Sequence, residues 1–352
     1  MMPTETGQGR LTISLGAIVA NWRMLDAMHP GQAAAAVMKA DAYGLGAAAI
    51  GPALRDAGCA HFFVAYRQEG VALRRAIGAG PMIAVLNGFA PDDSDLMPVL
   101  NSLEDVRTWA GLGREAILHL DTGMARLGLD PAEQAILAGA PSLRAGIGLR
   151  FVMTHLCCAD DPIHPLNEIQ RQRFAEACTA YPEVPRCLAN SSGLFLGAGY
   201  ATALARPGMA LYGLNPTPGR PNPMRPVVTL EAPILQIRHV RTGESVGYGA
   251  AWTAPRPSRI ATVAAGYADG YLRGLSGRGW AILAGRRMPL VGRVSMDLLT
   301  FDATDGPEPA MGDMVTLMGP GVTPDDLGHA AGTIGYEMLT SLGARYARVW
   351  AA

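Results

Sequence analysis

The chain has 352 residues, of which 49% are hydrophobic and only 17% charged, with 29 basic side chains against 30 acidic ones and a net charge of −1. That length fits roughly two domains with a sizeable core. The balanced charge, without a run of basic residues, argues against a nucleic-acid or anionic-membrane partner.

The first two-thirds alternates apolar strand segments with helical ones. Strands are expected at Ala34–Lys39, His61–Tyr66, Met82–Asn87, Met97–Asn101, Ala116–Asp121, Arg150–His155, Pro185–Asn190 and Ala203–Ala210. Amphipathic stretches such as Gln68–Ile77, Pro131–Ala138 and Ile169–Thr179 lie between several of them. Near-continuous apolar strands separated by helices imply a parallel sheet covered on both faces, and this series fits an α/β fold of the (β/α)8, TIM-type barrel class. A doubly wound open sheet is the alternative, weakened because no G-x-G-x-x-G follows the first strand. Asn215–Pro226 holds a proline-rich linker, and after it short alternating runs bounded by Gly, Asp and Pro indicate an antiparallel β domain. The expected division is 11–222 for the barrel and 223–352 for the C-terminal, mostly-β domain.

Five cysteines without framework spacing read as reduced thiols of a cytoplasmic protein. No metal site is expected: there is no C-x-x-C pair, and the vicinal Cys157 and Cys158 cannot both face one site from a strand. Met1–Arg10 is polar and no apolar stretch approaches the length of a spanning helix, so a soluble, unexported chain is expected.

Barrel enzymes gather their chemistry at the C-terminal ends of the strands, which collects Lys39, Arg126, His155, Asn190, Ser191 and Arg206 at one mouth. Lysine is nearly absent, so Lys39 in V-M-K-A-D-A-Y-G-L-G stands out. At a semi-buried strand end its amine can be held neutral enough to capture a carbonyl cofactor, although a lysine snorkelling beside a Tyr-Gly turn reads equally well. Ser191 in N-S-S-G and Gly208-Met209 in R-P-G-M offer the hydroxyl and backbone N–H groups that suit a phosphate; alone, N-S-S-G is a turn with a helix cap. Arg126 could neutralise a carboxylate or phenolate, or simply pair with Asp121 or Asp130. His155 at a strand end reads either as a hydrogen-bonded core residue or as part of the mouth. In the second domain, Tyr267 in G-Y-A-D-G-Y could move a proton, against the commoner role of packing at an interface. Arg293 and Asp297 in G-R-V-S-M-D look like an exposed pair.

Taken together, V-M-K-A-D-A-Y-G-L-G, D-T-G-M-A-R-L-G, M-T-H-L, A-N-S-S-G, A-R-P-G-M-A-L-Y-G, V-G-Y-G, G-Y-A-D-G-Y and G-R-V-S-M-D resemble the alanine racemase family, in that family's order and from about Leu11 to the end. The resemblance implies a pyridoxal 5'-phosphate barrel enzyme, a β domain, and a homodimer with shared active sites that interconverts L- and D-alanine and supplies D-alanine for peptidoglycan. It implies that Lys39 holds the cofactor and is one base, and that Tyr267, from the partner subunit, is the other. Tyr43, Ser191, Gly208 and Met209 resemble the phosphate-binding positions, with Asn190 beside them. Arg206 is similar to the arginine facing the pyridine nitrogen and His155 to the histidine that tunes the tyrosine. Arg126 and Met296 resemble the substrate-carboxylate positions. The chain also departs from the pattern. His119 stands where many members carry a lysine, Ala344 where some carry a phosphate-contacting tyrosine (with Tyr346 nearby), and Cys187 where some carry a histidine. These departures leave a broader or serine-preferring racemase open. Arg206 speaks against a decarboxylase, and the Tyr267 domain against a non-catalytic cofactor carrier.

Overall fold

A computed structural model describes residues 8–91 and 95–352; residues 1–7 of the polar start lie outside the described residues. The chain divides into two units, Ile18–Arg225 and Pro226–Ala352, the latter completed by the N-terminal residues up to Ala17. The first strand, β1 (Arg10–Ser14), therefore belongs with the C-terminal half. It pairs antiparallel with Val228–Glu231 and parallel with Ala347–Ala351, and so serves the second unit although it precedes the barrel in sequence.

The larger unit holds β2 (Ala33–Ala34), β3 (Ala36–Val37), β4 (His61–Val64), β5 (Met82–Val85), β6 (Met97–Leu100), β7 (Glu115–His119), β8 (Gly148–Met153), β9 (Arg186–Asn190) and β10 (Leu204–Arg206). Every neighbouring pair is parallel, in the order β2-β10-β9-β8-β7-β6-β5-β4-β3. The two end members are consecutive pieces of one stretch, interrupted only at Ala35, whose N–H still reaches Ala205 O at 2.9 Å. The nine segments therefore form eight staves, and the ring closes as the βα alternation predicts. The expected last strand is shorter than Ala203–Ala210: it stops at Arg206, and Met209–Tyr212 curl into a 3-10 turn after Pro207-Gly208.

Helices wrap the ring, each burying one face. Arg67–Ile77 buries Gly70, Leu73 and Ile77, and Pro165–Ala177 buries Asn167, Gln170 and Phe174, both at i, i+3, i+7 spacing. Their starts are chemically marked. Ser102 caps Leu103–Trp109, and Asp130 with Pro131 and Glu133 forms a capping box on Pro131–Gly139.

In the second unit β11 (Val228–Val240) is the spine. Its first half pairs with β1 and β18 (Met314–Met318), its second with β14 (Ser258–Val263). Around it lie β12 (Ser245–Val246), β13 (Trp252–Thr253), β14 (Ser258–Val263), β15 (Trp280–Leu283), β16 (Arg286–Pro289), β17 (Leu299–Asp302), β18 (Met314–Met318) and β19 (Ala347–Ala351). All pairs are antiparallel except β1 with β19, because β1 arrives from the other end of the chain. Residues 215–226 form no regular element.

Candidate active site

Lys39 begins where the first stave ends. Burial lowers its pKa most, the Arg126 charge lowers it further, and Glu69 opposes both. It is the only lysine in the chain. Composition alone held that fact, and it makes Lys39 the one side-chain amine able to form an imine.

The backbone after Lys39 is the least ordinary among the described residues. Ala40, Asp41, Ala42 and Tyr43 all have positive φ, from 52° to 56°, forming one left-handed turn. Left-handed conformation costs a residue with a Cβ about 1–2 kcal/mol, so the surroundings must enforce it. Ala40 N–H donates to Glu69 Oε1 at 2.7 Å, Ala42 N–H to Met38 O at 2.8 Å, and Gly46 N–H to Asp41 O at 2.9 Å. Asp41 Oδ1 also accepts from Ala47 N at 2.7 Å, tying the turn to the next helix.

The turn delivers Tyr43 to Gly208. A Cβ on Gly208 would lie 2.3 Å from Tyr43 Oη and 3.4 Å from Val37 Cβ, so no other residue fits that position undisturbed. Tyr43 packs on Tyr212, ring centroids 4.8 Å apart, and Tyr212 donates to Val37 O at 2.8 Å. Just after β9, Ser191 Oγ accepts from Gly208 N at 3.0 Å and Ala210 N at 3.3 Å. Tyr43, after the first stave, and Ser191, Gly208 and the buried Met209, after the last two, thus form a cradle of hydroxyls and backbone. Asn190 shapes it from outside: its Nδ2 donates to Leu156 O at 3.1 Å and its Oδ1 accepts from Gly193 N at 2.9 Å.

Arg206 is 4% exposed at the end of β10. Its Nη1 donates to Cys187 O at 2.9 Å and Cys187 Sγ at 2.7 Å, and its Nη2 donates to Thr154 O and, at 3.4 Å, to His155 Nδ1. Four of its five N–H groups are thereby engaged, and among the described residues only Nε–H has no partner. Cys187 occupies its histidine-variant position as a ligand of this guanidinium. Burial, then Arg206 and Arg126, push the His155 pKa well below 6.5, so the ring is neutral. With Nδ1 accepting, its proton sits on Nε2.

His119 follows the same logic. Asn101 directs its Nδ2 to Leu86 O (2.9 Å) and Val99 O (3.1 Å), so its Oδ1 faces His119 Nδ1 at 2.8 Å and that nitrogen carries the proton. Burial and the nearby arginines lower His119 to about 4. It makes no hydrogen bond to Arg126 among the described residues. Nor do the two acids that sequence offered to Arg126. Asp121 accepts from the Gly123, Met124 and Ala125 amides, and Asp130 caps a helix. Arg126 is left exposed on its loop, beside Ala125 at a φ of 53°.

The vicinal cysteines correct one expectation. They lie in a bend after β8 rather than on a strand, so alternation does not separate them, and their sulfurs are 3.6 Å apart. Among the described residues no group of three or more metal-ligating side chains occurs.

The second unit holds Tyr267 and Met296 side by side. Tyr267 N–H donates to Ser295 O and Ala268 N–H to Met296 O, both at 3.0 Å. Gly266 permits the contact, since a Cβ there would lie 2.2 Å from Met296 O. The side chains are 41% and 53% exposed. Asp297 pairs not with its sequence neighbour Arg293 but with Arg345, at 2.7 Å. Sequence patterns carried no signal for Arg345. Tyr346 is buried, and among the described residues its hydroxyl has no hydrogen-bond partner.

Comparison with known proteins agrees with this geometry over the whole chain. The N-terminal domain model of alanine racemase matches residues 13–216 and the C-terminal domain model matches 227–350. The chain belongs to the alanine racemase family. It is 53% identical to an alanine racemase of Acidiphilium cryptum over 350 residues, covering 96% of this chain and 98% of that protein. It is 48% identical to a catabolic alanine racemase of Agrobacterium fabrum, covering 97% and 91%. Its structure superposes on alanine racemase from Bartonella henselae with covalently bound pyridoxal phosphate, with a TM-score of 0.94, 38% identity and coverage of 99% and 100%. The biosynthetic alanine racemase of Pseudomonas aeruginosa gives 0.89, 36% identity and coverage of 98% and 100%.

Proposed function

We propose that the chain is a pyridoxal 5'-phosphate-dependent alanine racemase that works by two bases, Lys39 and Tyr267, as a cytoplasmic homodimer with shared active sites. The observation that carries the reading is the barrel mouth itself. A sole lysine with a lowered pKa stands on the same ring of strand ends as a Gly208 cradle that any Cβ would fill and an arginine with one N–H uncommitted. Those residues fit the cofactor: Lys39 for its aldehyde, Tyr43, Ser191, Gly208 and Met209 for its phosphate, and Arg206 Nε–H for its ring nitrogen.

The chemistry supplied by bound pyridoxal phosphate is acidification of the α-hydrogen of an amino acid joined to its aldehyde carbon. The protein decides what happens to that proton. Arg206 keeps its own proton, because guanidinium does not titrate in the working range, so it would meet the ring nitrogen as a hydrogen-bond donor and would not pass it a proton. Lys39 Nζ moves the proton on one face of Cα and Tyr267 Oη on the other, which is what inversion requires. His155, neutral and protonated on Nε2, has a hydrogen to donate towards the tyrosine. Arg126, which has no hydrogen bond or ion pair among the described residues, and the Met296 amide hold the substrate carboxylate. Delivery of Tyr267 from the partner subunit is supported by the exposure of Tyr267, Met296 and Leu298 on the second unit. Among the described residues no helix is long and apolar enough to cross a membrane. The D-alanine would supply peptidoglycan.

Chiral chromatography of a panel of L-amino acids incubated with the holoenzyme tests this. D-alanine is the expected dominant product. D-serine or several D-products would move the substrate while keeping the reaction, and no D-product from a cofactor-loaded protein would overturn it.

A further inference from the structure

We propose that Arg345 is a positioning residue that sets Tyr267 and the Met296 amide in register with each other; the inference rests on the two-base reading above. The guanidinium reaches both turns at once. Its Nε and Nη2 grip Asp269 in a bidentate pair, at 2.6 Å to Oδ1 and 2.8 Å to Oδ2, while Nη1 holds Asp297 Oδ1 at 2.7 Å. Asp269 lies two residues after Tyr267, and Asp297 one residue after Met296.

Exposed ion pairs contribute little in general, and Arg345 is itself half-exposed, but its main partner is different. The Asp269 side chain is only 8% exposed, and the same Oδ2 accepts the Gly266 N–H at 2.8 Å. The carboxylate is therefore the inner anchor of the turn Gly266–Tyr271. Asp269 O also accepts from Gly343 N at 2.9 Å, and a Cβ on Gly270 would lie 2.1 Å from Ser341 O. The turn thus rests directly on the segment that carries Arg345. Removing the guanidinium strands a buried carboxylate and frees the 297 side of the clamp, so the tyrosine and the amide lose their common reference. Proton transfer is sensitive to such loss: a displacement of about 1 Å costs on the order of 100-fold.

The test uses full-length holoenzyme carrying Arg345→Met, with Tyr267→Phe as the reference. Racemisation is followed in both directions, and α-hydrogen exchange into D2O is followed from L- and D-alanine separately. Racemisation should fall about 10- to 100-fold in both directions together, since the equilibrium between enantiomers is fixed by symmetry. Exchange from the enantiomer that Lys39 serves should persist within about threefold, while exchange from the one that Tyr267 serves falls with racemisation. Hydrogen–deuterium exchange by mass spectrometry should show 266–271 and 295–297 losing protection together, independently of turnover. Asp297→Asn should raise KM several-fold while leaving the exchange asymmetry as in the parent. Should Arg345→Met fail to fold, Arg345→Lys keeps the charge without the fork and should show the same asymmetry in weaker form. Equal loss of exchange from both enantiomers with the cofactor retained, or unchanged protection of 266–271, would overturn the role of Arg345. Absence of asymmetry in Tyr267→Phe would instead overturn the two-base reading beneath it.

Discussion

In the barrel unit the candidate groups are tuned by burial: Lys39, His119 and His155 are all lowered, with desolvation the first cause and arginines the second. In the second unit Tyr267 stands 41% exposed on a turn fixed by Asp269, Asp297 and Arg345. Burial sets protonation states, which a base and a cofactor anchor need within their own subunit. A clamp sets position and leaves the side chain at the surface, where a residue offered to another subunit must be. The exposure of Tyr267 is thus consistent with delivery in trans, and the depth of Arg206 with a role inside the barrel.

The sharpest break of that comparison is Lys39→Ala. Loss of activity by about 10³-fold or more is expected, together with loss of the visible absorbance of covalently held cofactor. With no second lysine in the chain, persistence of that absorbance would refute capture at the barrel mouth. Next in size, Gly208→Ala places a methyl 2.3 Å from Tyr43 Oη. Overpacking of this kind costs about 1–3 kcal/mol, so cofactor affinity measured by equilibrium dialysis should fall roughly 10- to 100-fold, while Tyr267-turn protection is unmoved. A parental affinity would mean that the cradle holds no phosphate.

A subtler test uses pH. His119 titrates at about 4 in the folded chain and near 6.5 unfolded. Between those values the unfolded state binds the extra proton, so stability falls as pH falls. The loss from pH 7 to pH 4 is about 3 kcal/mol from this group. His119→Gln should lack that component, so parent and variant should converge in urea midpoints as pH drops. A gap independent of pH would remove buried His119 as the source.

The βα alternation made the barrel legible because each stave buries an apolar run and each helix shows a matching stripe. Lys39 stands out in the sequence because no other lysine occurs, and the strand pattern places it, Asn190 and Arg206 at or next to strand ends. Three features were not legible. Ala40–Tyr43 have no local reason to be left-handed; the Glu69 carboxylate holds the turn from outside and Asp41, within it, ties it to Ala47 of the next helix. The pairing of β1 with β19 joins opposite ends of the chain, and no periodicity announces a partner so far away. Arg345 carries no motif because its meaning lies in two acids, Asp269 and Asp297, brought to it only by folding. Cys157 and Cys158 escape the strand-alternation rule for a related reason: the chain bends there after β8.

Having a single lysine among 29 basic residues gives this protein an unusual handle for labelling. Apart from the chain terminus, an amine-directed ester or aldehyde has one side chain to find, and that amine lies half-buried at the mouth of the barrel. Label incorporated per chain then counts open mouths, and protection from label counts occupied ones. A titration of the purified protein with a commodity reagent would report site occupancy without a turnover assay.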